Sequence, residues 1–139
     1  MSGVKSMRLF GQIGLVALGS ALGGLARWGI GAAVGRWLGT SFPYGTFIIN
    51  ITGCVFLGWF STVLGERLVE LNGWLGPDDL KLMIAVGFTG AYTTFSTFEY
   101  ESHGLLRDGD VGSAMTYILA SVLLGLLGVR CGIMLARWR

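Results

Sequence analysis

Charged residues are scarce in this sequence of 139 residues. Lysine, arginine, aspartate and glutamate make up 13% of it, whereas soluble domains carry about 25%. Hydrophobic residues account for 53%, and the mean hydropathy is +0.66. We therefore expect one multi-pass domain over residues 1–139, in a cell (inner) membrane and in contact with lipid. The net charge of +2 gives no indication of a nucleic-acid partner.

The residues that build metal and catalytic sites are equally few. The sequence has two cysteines, Cys54 and Cys131, and one histidine, His103. They show no metal-ligand spacing and form no nucleophile and base set, so we predict that the chain is not an enzyme. We expect both cysteines to be free, buried thiols and His103 to lie at the membrane interface.

Carboxylates are missing from three of the four apolar segments, and the third has only Glu99 and Glu101, near its end. Proton-coupled and cation exporters usually need a carboxylate within the membrane. A small four-span multidrug or guanidinium exporter remains the main alternative, but it would need an acidic residue in the first span. A non-transporting assembly subunit would explain the many glycines but not the polar groups described next.

Four apolar segments predict an all-α membrane protein with four transmembrane helices. Glycine is abundant, with 24 residues, and Gly19-x-x-x-Gly23 predicts close helix packing. A signal peptide is the competing interpretation of the first segment, but its apolar core is long and no clear cleavage site follows. The acidic start at Pro77 predicts the beginning of the third helix. The predicted spans are residues 10–34, 44–64, 80–103 and 111–135, joined by loops over 35–43, 65–79 and 104–110.

The third segment contains a polar stretch where a membrane helix should be most apolar. Residues 93–98 read Thr-Thr-Phe-Ser-Thr-Phe, and the apolar run before them covers only residues 82–92. A bilayer core needs about 20 helical residues, so the segment spans only if residues 93–98 lie inside it. Threonine and serine favour caps and turns over helix interiors. We predict a break in the third helix here, and we take it as the functional centre.

Two further polar residues lie within predicted spans. Arg27 either extends to the interface beside Trp28 in the aromatic belt or caps the end of a neighbouring helix, a structural role. Asn50 either makes an interhelical hydrogen bond worth about 1 kcal/mol or offers a donor to an anion or water path.

The fourth segment carries a polar and small stripe on one helix face. Its glycines are expected to be packing residues, whereas Tyr117 and Ser121 are less easily explained by packing. The stripe consists of Tyr117, Ser121, Gly125, Gly128 and Gly132.

Together these groups suit a small anion. Hydroxyl and amide groups donate hydrogen bonds, and the positive edge of a phenyl ring can contact an anion without trapping it. A helix break also frees backbone carbonyls, which are ligands for a hard cation. The residues therefore predict a small-anion pathway with a cation site at the break, and they do not select the anion.

The same residues resemble the sequence signature of the Fluc (CrcB) fluoride channels, over essentially the whole chain. The resemblance is most specific in the third segment and extends to shorter runs elsewhere. The runs are Gly87-Phe88-Thr89-Gly90-Ala91-Tyr92-Thr93-Thr94-Phe95-Ser96-Thr97-Phe98 with Glu101 after it, Gly23-Gly24-Leu25-Ala26-Arg27-Trp28, Gly45-Thr46 ahead of Asn50, and Tyr117 with Ser121.

This resemblance implies a passive, fluoride-selective channel that exports F⁻ and protects the cell from fluoride that enters as HF. It implies an antiparallel, dual-topology homodimer with two pores. It also implies a structural Na⁺ at the dimer centre, which is not transported and is bound by the backbone carbonyls of Gly90 and Thr93. The side chains implied to line the fluoride path are Asn50, Phe95, Phe98, Ser96, Thr97, Tyr117 and Ser121.

The sequence departs from the family pattern at a few positions. Gly125 and Val129 follow Ser121 where relatives can carry hydroxyls, so we expect a shorter polar track. Ala91-Tyr92 and Glu99 also differ, and a carboxylate at the pore mouth would tend to repel anions.

The distribution of basic residues differs from what an antiparallel dimer leads one to expect. Four spans place six basic residues on the side of both termini and two opposite, which favours cytoplasmic termini. An antiparallel dimer requires insertion in both orientations, and we expect the dimer topology to hold despite this bias. The six are Lys5, Arg8, Arg67, Lys81, Arg137 and Arg139, and the two are Arg36 and Arg107.

Overall fold

The computed structural model describes residues 2–68 and 75–138, with side chains from residue 8 onward within those ranges. The described residues are predominantly helical and include no strand. The first, second and fourth spans are single long helices, and the third span consists of several shorter helical segments. In chain order the elements are α1 (Ser2–Leu38), α2 (Tyr44–Arg67), α3 (Pro77–Leu80), a π-helical segment (Lys81–Thr89), α4 (Gly90–Tyr92), α5 (Phe95–Arg107) and α6 (Val111–Arg137).

The predicted four-helix architecture with an interrupted third helix is confirmed. Three helices are long and apolar enough to cross a membrane, over Arg8–Leu38, Tyr44–Arg67 and Val111–Arg137. The third span does not qualify as one helix because it is divided into residues 77–92 and the 13 residues of α5. Each part is shorter than the roughly 20 residues that a bilayer core requires.

The helix ends differ from the predicted boundaries. α1 continues through Arg36 and Trp37 into the predicted loop over 35–43, and α5 runs to Arg107. Gly39 and Gly109 follow these two helices with φ values of +78° and +81°. This left-handed conformation ends a helix and suits glycine. α3 begins at Pro77 as predicted, and α2 extends to Arg67. Residues 69–74 of the predicted loop over 65–79 lie outside the described residues.

The break is narrower than the predicted stretch of residues 93–98. Only Thr93 and Thr94 have extended backbone, with ψ values of 162° and 121°, and the helix resumes at Phe95. Thr94 caps α5, since its side chain accepts a hydrogen bond from the amide of Thr97. A capped helix start explains why two residues are enough to interrupt the span.

The tightest helix packing joins α2 to α6 through glycine. A Cβ atom added at Gly132 would overlap the carbonyl oxygen of Val55, and one at Gly58 would overlap that of Val129. Gly125 and Gly128 are also buried against α2. The predicted packing role of the α6 glycines is therefore confirmed, because small residues let the two backbones approach closely.

α1 packs on the π-helical segment in the same way. Cβ atoms at Gly19 and Gly23 would overlap backbone atoms of Met83 and Phe88, respectively, which confirms the predicted packing motif. The opposite faces are apolar and open: Leu25 of α1 is 65% exposed and Leu126 of α6 is 67% exposed. Such faces suit contact with lipid.

Both cysteines are free thiols, as predicted. The expected burial is wrong for Cys131, which lies on an exposed face of α6, and Cys54 is only half-buried. His103 is exposed near the end of α5, and the described residues contain no cluster of His, Cys, Asp or Glu that could hold a metal ion.

Candidate functional site

The break in the third span is held by one side chain of α2. The Asn50 amide nitrogen donates to the carbonyl of Thr94 at 3.1 Å, and the Thr94 amide donates to the Asn50 side-chain oxygen at 2.9 Å. The Thr94 amide thereby gains a partner where no helical one exists, which matters because an unpaired backbone group in an apolar setting costs several kcal/mol. This pairing confirms the interpretation of Asn50 as an interhelical hydrogen-bonding residue, and its role toward an anion stays a prediction.

The same geometry removes the helical partners of two carbonyls. In an unbroken helix the amide of Thr94 would donate to the carbonyl of Gly90, four residues earlier. It donates to Asn50 instead. The amide of Thr97 would reach the Thr93 carbonyl, but it donates to the Thr94 hydroxyl oxygen at 3.3 Å. Gly90 and Thr93 therefore keep carbonyl oxygens that suit a hard cation such as Na⁺.

The two phenylalanines after the break have different surroundings. Their ring centroids are 5.9 Å apart, yet Phe95 is 74% exposed whereas Phe98 is 7% exposed. Phe98 presents an edge-to-face contact to Tyr117, with centroids 5.1 Å apart. The structure thus brings together Phe95, Phe98 and Tyr117 as a continuous aromatic row from an open surface into the helix bundle.

Glu101 is a site residue that the sequence reasoning did not select. Its two carboxylate oxygens accept hydrogen bonds from the Thr46 hydroxyl at 2.9 Å and from the Tyr117 hydroxyl at 2.8 Å. The carboxylate therefore joins α2, α5 and α6 at one end of the bundle. The available signal was spacing, since Glu101 follows Phe98 by three residues and so shares its helix face.

The remaining hydroxyl residues of the predicted path are distributed less evenly. Thr97 is exposed, and its hydroxyl oxygen accepts a hydrogen bond from that of Thr94 at 3.0 Å. Ser96 is exposed and has no hydrogen-bonding partner among the described residues. Ser121 lies one turn beyond Tyr117. Its hydroxyl oxygen is buried and has no hydrogen-bonding partner among the described residues.

An open cavity of about 800 Å³ lies beside these residues. Its wall includes Thr46, Thr97 and Glu101, and on the α1 side it includes Arg27. We call this cavity the vestibule. Arg27 is half-buried there, and it donates no hydrogen bond to a helix end within the described residues. The structure therefore places Arg27 on the wall of an open cavity, and its extension to the membrane interface stays a prediction.

A smaller groove of about 220 Å³ lies alongside the break. Asn50, Thr93, Thr94 and Phe95 line it, together with Cys54. The amide nitrogen of Asn50 has two hydrogens, of which one is donated to Thr94. The other can serve a ligand in this groove, next to the exposed ring of Phe95.

Comparison with known proteins identifies relatives along nearly the whole chain. Residues 14–133 match the family described as CrcB-like protein, Camphor Resistance (CrcB). A protein of Acidobacterium capsulatum named fluoride-specific ion channel FluC is 48% identical over 117 residues, which cover 84% of this chain and 89% of the relative.

Two further relatives carry the same name. The protein of Chloroflexus aurantiacus is 42% identical over 123 residues, covering 88% of this chain and 93% of its own length. The protein of a Synechococcus strain is 43% identical over 125 residues, covering 89% of this chain and 92% of the relative.

Proposed function

The chain belongs to the CrcB-like family, and from this premise we propose that it is a fluoride-specific ion channel. The family is one of ion channels, so the chain is not an enzyme. One structural observation supports the assignment most directly: the Asn50 amide and the Phe95 ring line the same groove at a helix break within the membrane. The resemblance of the relatives selects fluoride among small anions.

The proposed path runs from the groove along the aromatic row. The spare N–H of Asn50 donates to the anion, and the ring edges of Phe95 and Phe98 contact it with their positive rims. Weak, repeated contacts of this kind allow an ion to leave as readily as it enters. Ser121 then offers a buried hydroxyl that has no protein partner in the described residues.

Tyr117 is less freely available on this path than Asn50. Its hydroxyl hydrogen is directed to the Glu101 carboxylate, so in this arrangement Tyr117 cannot donate to an anion. Its ring contributes by packing against Phe98 at 5.1 Å. Ser96 and Thr97 supply exposed hydroxyls at the start of α5, beside the groove and the vestibule.

We propose that conduction is passive and serves export across the cell inner membrane. Fluoride that enters as neutral HF ionises inside, where it is trapped as the anion. A channel without an energy source can then lower cytoplasmic fluoride by letting it leave down its gradient.

A second copy of the chain completes the proposed channel. The groove is open, the Phe95 ring on its wall is 74% exposed, and the surface of the third span also exposes Val86 at 51% and Tyr100 at 77%. An antiparallel homodimer with two pores would cover this surface and enclose each anion path.

The freed carbonyls of Gly90 and Thr93 support a structural Na⁺ between the two copies. Carbonyl oxygen is the ligand type that hard cations prefer, and Gly90 is exposed. When bound, the ion supplies a fixed positive charge that stabilises the break. The chain leaves the two carbonyl oxygens free for the ion, because the amides of Thr94 and Thr97 donate to other acceptors.

Fluoride efflux from proteoliposomes, recorded with a fluoride electrode, tests the function. We expect rapid fluoride release and at least about tenfold slower chloride release under matched gradients. Comparable chloride passage would overturn the assignment.

The aromatic path is tested by Phe95→Ile, which keeps an apolar side chain but removes the ring. We expect fluoride efflux to be lost while the dimer still assembles in size-exclusion chromatography. Phe10→Ile is the matched control, because Phe10 is also an exposed ring, at 69%, but lies near the start of α1. Normal efflux from Phe95→Ile would remove this residue from the path.

Sodium removal tests the cation site separately. Replacing Na⁺ with N-methylglucamine should lower the thermal stability of the dimer by several degrees, because a ligand that binds only the folded state stabilises it. Equal melting temperatures in the two buffers would exclude the cation while leaving the anion path in place.

A further inference from the structure

One polar contact before the break has no part in the function proposed so far. Tyr92, the last residue of α4, is 7% exposed, and its hydroxyl oxygen lies 2.8 Å from that of Thr52 on α2. The single hydroxyl hydrogen of Thr52 is directed to the Ile48 carbonyl at 2.7 Å. Tyr92 is therefore the donor to Thr52, and Thr52 in turn donates to the backbone of α2.

The ring of Tyr92 has packing partners on one face and along its edge. It stacks on Phe88, with centroids 5.8 Å apart and planes 9° apart. Against its edge lies Gly53, where an added Cβ would come within 3.3 Å of the Tyr92 ring and would overlap the methyl group of Thr93. The absence of a side chain at Gly53 thus allows α2 to approach the break itself.

α2 holds the break from both sides through residues that are two positions apart. Thr52 binds Tyr92 immediately before the extended residues, and Asn50 binds Thr94 at their end. Thr93 lies between these two contacts. Because no helical hydrogen bond crosses the extended backbone, α4 and α5 would otherwise be free to shift against each other.

We propose that Tyr92 is a positioning residue for the break. Through Thr52 it fixes the end of α4 on α2, so that Thr94 stays opposite Asn50 and the carbonyls of Gly90 and Thr93 keep their arrangement. The consequence for the cation rests on the proposed function, whereas the consequence for the Asn50 pairing does not.

Amide hydrogen exchange in the detergent-solubilised protein tests the proposal in peptides that cover residues 93–97. Tyr92→Phe keeps the ring and its stacking and removes only the donor. We expect exchange at the break to become about fivefold faster, in line with the loss of one hydrogen bond. Thr52→Val should give the same increase, and the double variant should add little, since both changes remove the same contact.

Thr62→Val is the matched control. Thr62 also lies on α2 and donates to the carbonyl four residues earlier, at 2.8 Å, but it has no contact with the break. In Thr62→Val, the exchange rate at residues 93–97 should equal that of the original chain. If Tyr92→Phe exchanges at the original rate, or if only Thr52→Val accelerates exchange, the positioning role is wrong.

A second readout connects the contact to the cation. The sodium concentration that gives half of the thermal stabilisation should rise about threefold or more in Tyr92→Phe and stay constant in Thr62→Val. An unchanged midpoint in Tyr92→Phe would show that the carbonyls do not depend on this contact. Failure of the original chain to release fluoride would contradict the proposed function alone, because the exchange comparison would still decide on Tyr92.

Discussion

α2 makes two contacts of opposite chemical character. Toward α6 backbone lies on backbone, at Gly58 of α2 and at Gly132 of α6. Toward the third span α2 presents Asn50 and Thr52, whose side chains bind a backbone carbonyl, a backbone amide and a phenol. The first contact depends on shape, whereas the second depends on matching each donor with an acceptor.

The two contacts should therefore fail in different ways. Added atoms at the α2 and α6 contact force the helices apart by an amount that grows with the atoms added. Loss of the Asn50 side chain leaves the Thr94 amide without a protein partner in a part-buried setting. We expect the polar contact to govern conduction and the glycine contact to govern stability.

Asn50→Ala should have the largest effect. It leaves the amide of Thr94 without its partner, and an unpaired buried group costs about 1–3 kcal/mol. It also removes the spare N–H donor from the groove. We expect fluoride efflux, measured in proteoliposomes, to fall by at least about tenfold.

Ser61→Ala is the control for this variant, since Ser61 is an exposed polar residue of the same helix. It should conduct at the original rate. If Asn50→Ala conducts as well as Ser61→Ala, the break does not need its side-chain partner, and the contrast between the two contacts disappears.

Gly132→Ala should have an intermediate effect, and on stability rather than on conduction. The new methyl group would overlap the Val55 carbonyl, and overpacking of this kind costs about 1–3 kcal/mol. The melting temperature of the protein should fall, with the efflux of the remaining folded protein largely kept. Gly29→Ala is the control, because nothing lies within 4 Å of a Cβ atom at Gly29. Equal melting temperatures for both variants would contradict the packing role.

Asp110→Ala should have the smallest effect, and it shows what the same kind of bond contributes in water. The Asp110 carboxylate caps α6 by accepting from the Ser113 amide at 3.0 Å, on an exposed surface. We expect the melting temperature to fall by about 2 °C, which is a smaller loss of stability than we expect for Asn50→Ala.

The Asp110 cap should also depend on pH. The hydrogen bond from the Ser113 backbone holds the pKa of the Asp110 carboxyl below its ordinary value of 3.8. A lowered pKa in the folded state means that the cap stabilises at neutral pH and is lost as the pH falls through that lowered pKa. The difference in melting temperature between Asp110→Ala and the original chain should therefore shrink on acidification below about pH 4. A difference that is constant from pH 7 to pH 3 would contradict the assigned cap.

The spans and the break could be predicted because their signals are local. Hydropathy and length fix where a helix can cross a bilayer, and the run of threonines at residues 93–98 interrupts that pattern. The glycine stripe of α6 was predicted for the same reason, since helix periodicity places Gly125, Gly128 and Gly132 on one face.

The partners of the polar side chains could not be predicted, because they are distant in sequence. Nothing in the residues around Asn50 identifies Thr94 as its partner, and nothing near Glu101 indicates Thr46. The unequal exposure of Phe95 and Phe98 depends on Tyr117, which the helix pattern alone does not place. The π-helical turns of residues 81–89 were also not predicted.

The divided third span has a consequence for how the chain enters the membrane. Residues 77–92 and α5 are each too short to cross alone, and the extended residues between them carry backbone groups that lipid cannot satisfy. Asn50 supplies the missing partners, and it is synthesised and inserted more than forty residues ahead of Thr94. Because α2 is synthesised first, its polar side chains are available when the third span enters the bilayer, where that span would not be stable alone.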